Sequence, residues 1–98
     1  MIARHLITLG LLDTAPCHPR EVFRPAIQDS AAAIILAHNH PGGDPTPSVE
    51  DLKVTRQLIE AGTLIGIRVL DHVIVGRPTG LSPGYISLRE KGLATFAP

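Results

Sequence analysis

Residues 31–51 read AAAIILAHNHPGGDPTPSVED. An unbroken apolar run, Ala31 to Ala37, leads into His38-Asn39-His40 and a proline- and glycine-rich segment. Ser48-Val49-Glu50-Asp51 then opens a helical pattern. A run apolar at every position marks a strand covered on both faces, as in the centre of an α/β sheet. Pro41 cannot continue a sheet, and Gly42-Gly43 lets the backbone turn. The stretch from Ser48 to Ala61 has helical character and stops at Gly62. Ile67 to Val75 is a second apolar run, rich in β-branched residues, and reads as a strand. Strand, helix and strand in this order form a βαβ unit, with parallel pairing and a right-handed crossover.

The flanks extend this unit. Residues 2–8 read as a strand that Gly10 and Asp13–Pro16 end. Pro19-Arg20-Glu21 opens a short helix with an apolar stripe of Val22, Phe23, Ala26 and Ile27, and Pro25 predicts a kink or break in it. Tyr85 to Leu88 adds a short strand, and the residues from Lys91 read as a loose tail. The expected fold is a small α/β domain with a mixed sheet. The strand ending at His40 is central, and the Ser48–Ala61 helix packs on its face.

Composition narrows the function classes. Ninety-eight residues make one domain with one modest core, and an apolar content of 44 % favours folding over disorder. The apolar runs are far too short to span a bilayer, and Met1-Ile2-Ala3-Arg4-His5 has no signal-peptide layout. The lone Cys17 excludes an internal disulfide and any multi-cysteine zinc site. A cytoplasmic location with no membrane partner is expected. Formal net charge is zero and aromatic residues are 3 % of the chain, which leaves neither a basic stripe nor a stacking platform for nucleic acid.

The central run carries the chemistry. Side chains i and i+2 of a strand share a face, so His38 and His40 can grip one metal ion while Asn39 points away. On the helix, at about 100° per residue, Val54, Leu58, Ala61, Leu52 and Ile59 fill one arc. Glu50, Lys53, Arg56, Gln57 and Glu60 fill the opposite one, and Ser48, Asp51 and Thr55 sit in the middle of the apolar arc. A carboxylate aimed at the core needs a partner. That selects Asp51, and not Glu50, as a third ligand. Ser48-x-x-Asp51 also reads as a capping box, which is the better reading when the tetrad stands alone. Two histidines and a core-facing aspartate around one Pro/Gly loop favour a metal site, with donors that suit zinc. The two roles are compatible, because Ser48 can cap and still face the site.

His38-x-His40-Pro41, the seven residues Pro41 to Pro47, and Ser48-x-x-Asp51 together resemble the motif of the JAB/MPN (JAMM) metalloproteases. The full string HNHPGGDPTPSVED is similar to the bacterial RadC branch. So are His18-Pro19-Arg20-Glu21-Val22-Phe23 and Leu70-Asp71-His72-Val73-Ile74-Val75-Gly76. The resemblance reaches from the N-terminus to about Gly92. It implies a cytidine-deaminase-like three-layer core, with residues 1–92 as the C-terminal part of a RadC-like JAB/MPN domain and 93–98 as a tail. It implies zinc held by His38, His40 and Asp51 with a fourth position open to water. Ser48 would hydrogen-bond the oxyanion of the tetrahedral intermediate, and the reaction would be hydrolysis of a peptide or isopeptide bond.

The family also uses a glutamate as general base, on a strand upstream of the segment that starts at Met1 here. The chain therefore resembles an N-terminally truncated domain. Glu21 matches the family's Pro-Arg-Glu segment and not that base, and Glu50, Glu60 and Glu90 have no link to the site. A lost strand exposes a sheet edge, which is a route to self-association. Asp71 and His72 are adjacent on a strand, so at most one faces the site, as a partner of a ligating residue; a structural role is the favoured expectation. His5 and His18 read as surface residues and Cys17 as inert. Three functions compete: a JAMM-type zinc metallohydrolase, a catalytically inactive metal-binding or interaction module, and a DNA-repair-associated factor. RadC-like proteins carry a repair name, but the zero net charge weakens the third reading.

Overall fold

The computed structural model describes residues 4–8 as backbone only, and residues 18–40 and 42–96 with their side chains. The elements are β1 (Arg4–Thr8), α1 (Pro19–Gln28), β2 (Ala33–Asn39), α2 (Val49–Ile65), β3 (Arg68–Val75) and β4 (Tyr85–Ser87). They build one mixed sheet in the order β1-β2-β3-β4. The first three strands are parallel and β4 is antiparallel to β3, so β2 is interior as expected. Successive right-handed crossovers between neighbouring parallel strands put both helices on one face. There Val22, Phe23 and Ala26 of α1 and Leu58 of α2 close on Ile34, Leu36 and Val69 of the sheet.

The uniform apolar run hides an alternation. Ile34, Leu36 and His38 are buried on the helix face, whereas Ile35 and Ala37 are half-buried and Asn39 is exposed. The described residues supply one helical layer; the third layer that the resemblance implies has no counterpart among them. In α1, His18 is the N-cap, its Nδ1 accepting from the Arg20 N–H at 3.3 Å. The helix runs through Pro25 without a break. One lost backbone bond is tolerated because Val22, Phe23 and Ala26, on both sides of the proline, are anchored in the core. Ile27 falls outside that arc and is exposed.

Helix α2 is longer than expected, because Gly62 does not stop it. The true C-cap is Gly66, in the left-handed conformation at φ 87°, with its N–H donating to the Gly62 carbonyl at 2.8 Å. Gly62 serves packing instead: a Cβ there would collide with the Ile67 carbonyl and press on Phe23. The stripe that α2 buries is Asp51, Thr55, Leu58 and Gly62. The C-terminal segment is less loose than expected, since Phe96 packs against the core cluster. No helix among the described residues is long and apolar enough to cross a membrane.

A register shift between β2 and β3 matters most for the site. Ile34 pairs with Val69 but Ile35 pairs with Asp71, which leaves Leu70 as an extra residue on β3. Without it, Val69 and Asp71 would share the helix face and His72 would point away. The extra residue flips the phase, so Val69, His72 and Ile74 are the buried positions. His72 is fully buried, and its side chain meets Thr55 of α2.

The loop after β2 is stitched to the end of β3. The His40 N–H donates to the Val75 carbonyl at 2.9 Å, and the Arg77 N–H donates to the Gly43 carbonyl at 2.7 Å. Gly76 permits this crossing, because a Cβ there would overlap the Gly43 carbonyl and approach Pro45 Cδ to 3.0 Å. Gly76→Ala is therefore expected to destabilise the chain by about 1–3 kcal/mol, the usual cost of overpacking. Urea denaturation checks this, and an unchanged midpoint would contradict the close approach.

Burial, reinforced by neighbouring His38, lowers the pKa of His72 from 6.5 to about 4. Below pH 6.5 the unfolded chain takes up this proton and the folded metal-free chain does not, so stability falls with falling pH. The contribution is complete above pH 6.5 and is lost between there and pH 4, up to about 3 kcal/mol for this group. The unfolding midpoint is expected to be lower at pH 5 than at pH 7.5, with a smaller difference in His72→Gln. A midpoint that holds or rises at pH 5 would contradict the burial of a neutral imidazole.

Candidate metal centre

The site forms where the C-terminal end of β2 meets the first turn of α2. Strand alternation puts His38 and His40 on the helix face, and Asp51 lies in the first turn of α2. His38 Nε2 is 3.4 Å from Asp51 Oδ1, and His40 Nε2 is 3.0 Å from Asp51 Oδ2. One ligand atom from each residue lies within 4.8 Å of the others, and this is the cluster of its kind among the described residues. His38 and Asp51 are each 3 % exposed, whereas the His40 side chain is 21 % exposed and marks the open side.

Asp51 fills both roles considered from the sequence. The Ser48 N–H donates to Asp51 Oδ2 at 2.7 Å, and the Asp51 N–H donates to Ser48 Oγ at 3.0 Å, a complete capping box. The same carboxylate faces both histidines. Burial alone would raise its pKa, but the two Ser48 hydrogen bonds and the histidines outweigh that and hold it below the usual value. It is a carboxylate at neutral pH.

The histidines present lone pairs to it. His40 Nδ1 is 2.8 Å from the Asp44 carbonyl oxygen, which can only accept. The neutral ring must carry its proton on Nδ1, which leaves Nε2 free. An Asx-type turn holds that carbonyl, with the Thr46 N–H and hydroxyl donating to Asp44 Oδ1 at 3.0 and 2.7 Å. These bonds lower the pKa of the exposed Asp44 carboxyl. His38 Nδ1 is engaged by His72 at 2.8 Å, so Nε2 is again the atom facing Asp51. Burial lowers the His38 pKa; Asp51 opposes the shift and His40 adds to it. The neutral form of His38 is the favoured one.

Two imidazole nitrogens and a carboxylate thus converge as electron-pair donors. A tetrahedral ion with bonds of about 2.0–2.2 Å separates its donors by about 3.3–3.6 Å, close to the 3.0 and 3.4 Å found here. His38, His40 and Asp51 can hold a metal ion, and the open side by His40 leaves room for a further ligand.

Ser48 stands beside the cluster and is exposed. Its oxygen accepts from the Asp51 N–H, and its side chain also hydrogen-bonds the Asp51 carboxylate. Glu21, Glu50, Glu60 and Glu90 are exposed and outside the cluster. Pro41, Cys17 and the His5 side chain lie outside the described residues. Of the adjacent Asp71 and His72, it is His72 that reaches the site, against the structural role favoured from the sequence, while Asp71 points to the other face. There Asp71 accepts from Ser87 Oγ at 2.5 Å and from the Arg89 N–H at 3.1 Å. Thr55 in the apolar arc of the helix was the available signal, because a buried hydroxyl needs a partner.

Comparison with known proteins identifies the family. The profile of the RadC-like JAB domain matches residues 1–93. A UPF0758 protein of Caldanaerobacter subterraneus is 56 % identical over 96 residues, covering 98 % of this chain and 39 % of that protein. A UPF0758 protein of Symbiobacterium thermophilum is 56 % identical over 89 residues, 91 % of this chain and 36 % of its own length. One from Listeria welshimeri is 55 % identical over 92 residues, 94 % and 39 % of the two chains. The chain thus spans well under half the length of these curated relatives. With its profile match and its histidine–aspartate cluster, the chain belongs to the RadC-like JAB domain family.

Proposed function

We propose that this chain carries the metal seat of a zinc-dependent hydrolase acting on peptide or isopeptide bonds. The observation that carries the reading is the convergence of His38 Nε2, His40 Nε2 and the Asp51 carboxylate, each with its other polar atoms already engaged. A nitrogen–oxygen donor set of three with one open side suits catalytic zinc better than a closed structural site. Bound zinc supplies Lewis acidity and makes water nucleophilic at neutral pH. By the family resemblance, Ser48 would hydrogen-bond a developing oxyanion. A groove of about 510 Å³ adjoins the site, lined by Gly43, Asp44, Arg77, Ser82 and Ile86 among others. Its floor residue Ile86 lies in one cross-sheet row with Ile74 and His38, hence on the same face. This groove is the candidate seat for an extended peptide.

The general base would be the glutamate that the family resemblance places on an upstream strand; among the described residues, Asp51 is the carboxylate grouped with the two histidines. That same observation favours a second reading for the chain by itself, a metal-binding module without turnover. A repair role through direct DNA contact is disfavoured by the zero net charge.

One zinc per chain is expected by metal analysis of the purified protein. His38→Ala and His40→Ala should abolish binding, and Asp51→Ala should weaken it and also destabilise α2 through the lost cap. Equal zinc content in all four proteins would sink the assignment.

Turnover by the 98-residue chain is expected to be slow or absent. Adding the family's upstream strand with its glutamate should raise peptide or isopeptide hydrolysis by about 10²–10⁴-fold, the usual worth of general acid–base assistance. The same addition with glutamine should bind zinc and stay inactive. Robust turnover by the unextended chain, lost in Glu21→Gln, would show that the base is already present.

A further inference from the structure

Behind His38 lies a buried chain of hydrogen-bonding side chains. His38 Nδ1 is 2.8 Å from His72 Nε2, and His72 Nδ1 is 2.6 Å from Thr55 Oγ1. The Thr55 hydroxyl donates to the Asp51 carbonyl oxygen at 2.7 Å. His72 and Thr55 are fully buried and His38 nearly so, which keeps water out of the chain of contacts.

The protons of this chain can be placed one after another. The Asp51 carbonyl only accepts, so the single Thr55 proton points at it. Thr55 Oγ1 then faces His72 with a lone pair, and His72 must carry its proton on Nδ1. A neutral His72 offers a bare Nε2 to His38, so His38 carries its proton on Nδ1. His38 Nε2 is left bare, aimed at the Asp51 carboxylate. The reverse order of protons would put a hydrogen on His38 Nε2, inside the donor set, and close the site to a cation.

We infer that Thr55 and His72 act as positioning residues for the metal centre: Thr55 fixes the His72 tautomer, and His72 Nε2 accepts the hydrogen bond from His38 Nδ1–H, which leaves His38 Nε2 free for the ion. The circuit starts and ends on ligand residues. It leaves the Asp51 backbone, passes through Thr55 and His72, and returns through His38 to the Asp51 side chain. A shift in any member is therefore felt by two ligands together. The β3 register shift exists on this account to bring His72 into the circuit. An aspartate or a backbone carbonyl is the common partner of a ligating histidine. A second, neutral imidazole achieves the same proton placement without adding negative charge to the site.

The inference rests on the metal-centre reading, and the test separates the two. Zinc affinity is measured by chelator competition at pH 7.5 for the wild type, His72→Leu, His72→Gln and Thr55→Val, with folding checked by amide NMR dispersion. Nitrogen-15 NMR of the zinc-loaded wild type reads the imidazole tautomers. His38 and His72 should both be protonated on Nδ1. His72→Leu should bind zinc about 10–100-fold more weakly, the range for partners of ligating histidines, and Thr55→Val about tenfold. His72→Gln, whose amide oxygen can accept the His38 proton, should recover most of the loss. A loaded wild type with His72 protonated on Nε2 would overturn the relay by itself, whatever the variants do. Folded His72→Leu and Thr55→Val proteins that bind like wild type would overturn it while leaving the metal centre intact. A wild type that binds no zinc overturns the metal reading and the relay with it.

Discussion

The arrangement depends on the Asp51 carboxylate, which caps a helix and faces two histidines at once. One oxygen accepts the Ser48 N–H at 2.7 Å and also faces His40 at 3.0 Å; the other faces His38 at 3.4 Å. A buried carboxylate without partners is too costly to persist. Ser48 supplies one partner, and a cation shared by Asp51, His38 and His40 would tie the first turn of α2 to the end of β2. The close crossing of the Gly43 carbonyl over Gly76 fixes the same junction from the loop side.

This junction is polar where a domain of this size would gain most from apolar packing. Asp51, Thr55, His38 and His72 occupy helix–sheet positions that hydrocarbon side chains could fill. Every described buried side-chain nitrogen or oxygen has a hydrogen-bond partner, so the polar stripe avoids the penalty of unsatisfied groups. What remains is a local excess of acceptors around one point. A cation held by His38, His40 and Asp51 would relieve that excess. The apolar cluster of Phe23, Ile34, Leu36, Leu58 and Val69 lies on the same face and carries the stability that the site gives up.

Much of this was legible in the sequence because it rests on short-range periodicity. The i, i+2 spacing of His38 and His40, and the position of Asp51 in the apolar arc of α2, locate the donor set. Strand order and the packing of α2 on the sheet follow from the βαβ pattern. The rest depends on tertiary accidents that periodicity does not encode. The alternation of β2 is hidden by a run in which both faces are apolar. Gly62 reads as a stop because a glycine required for close packing and one required for a left-handed cap look alike in a sequence. His72 reads as structural because one extra residue, Leu70, changes which face it occupies. The capping box and the ligand role of Asp51 compete on paper, whereas one carboxylate with two oxygens accommodates both.

Zinc K-edge X-ray absorption on the metal-loaded chain tests the central claim most directly, since it reads the donor atoms themselves. The account predicts two imidazole nitrogens and one carboxylate oxygen, all at about 2.0–2.2 Å, with further light-atom density from a solvent ligand. A first shell containing sulfur at about 2.3 Å, or one without imidazole scattering, would contradict it.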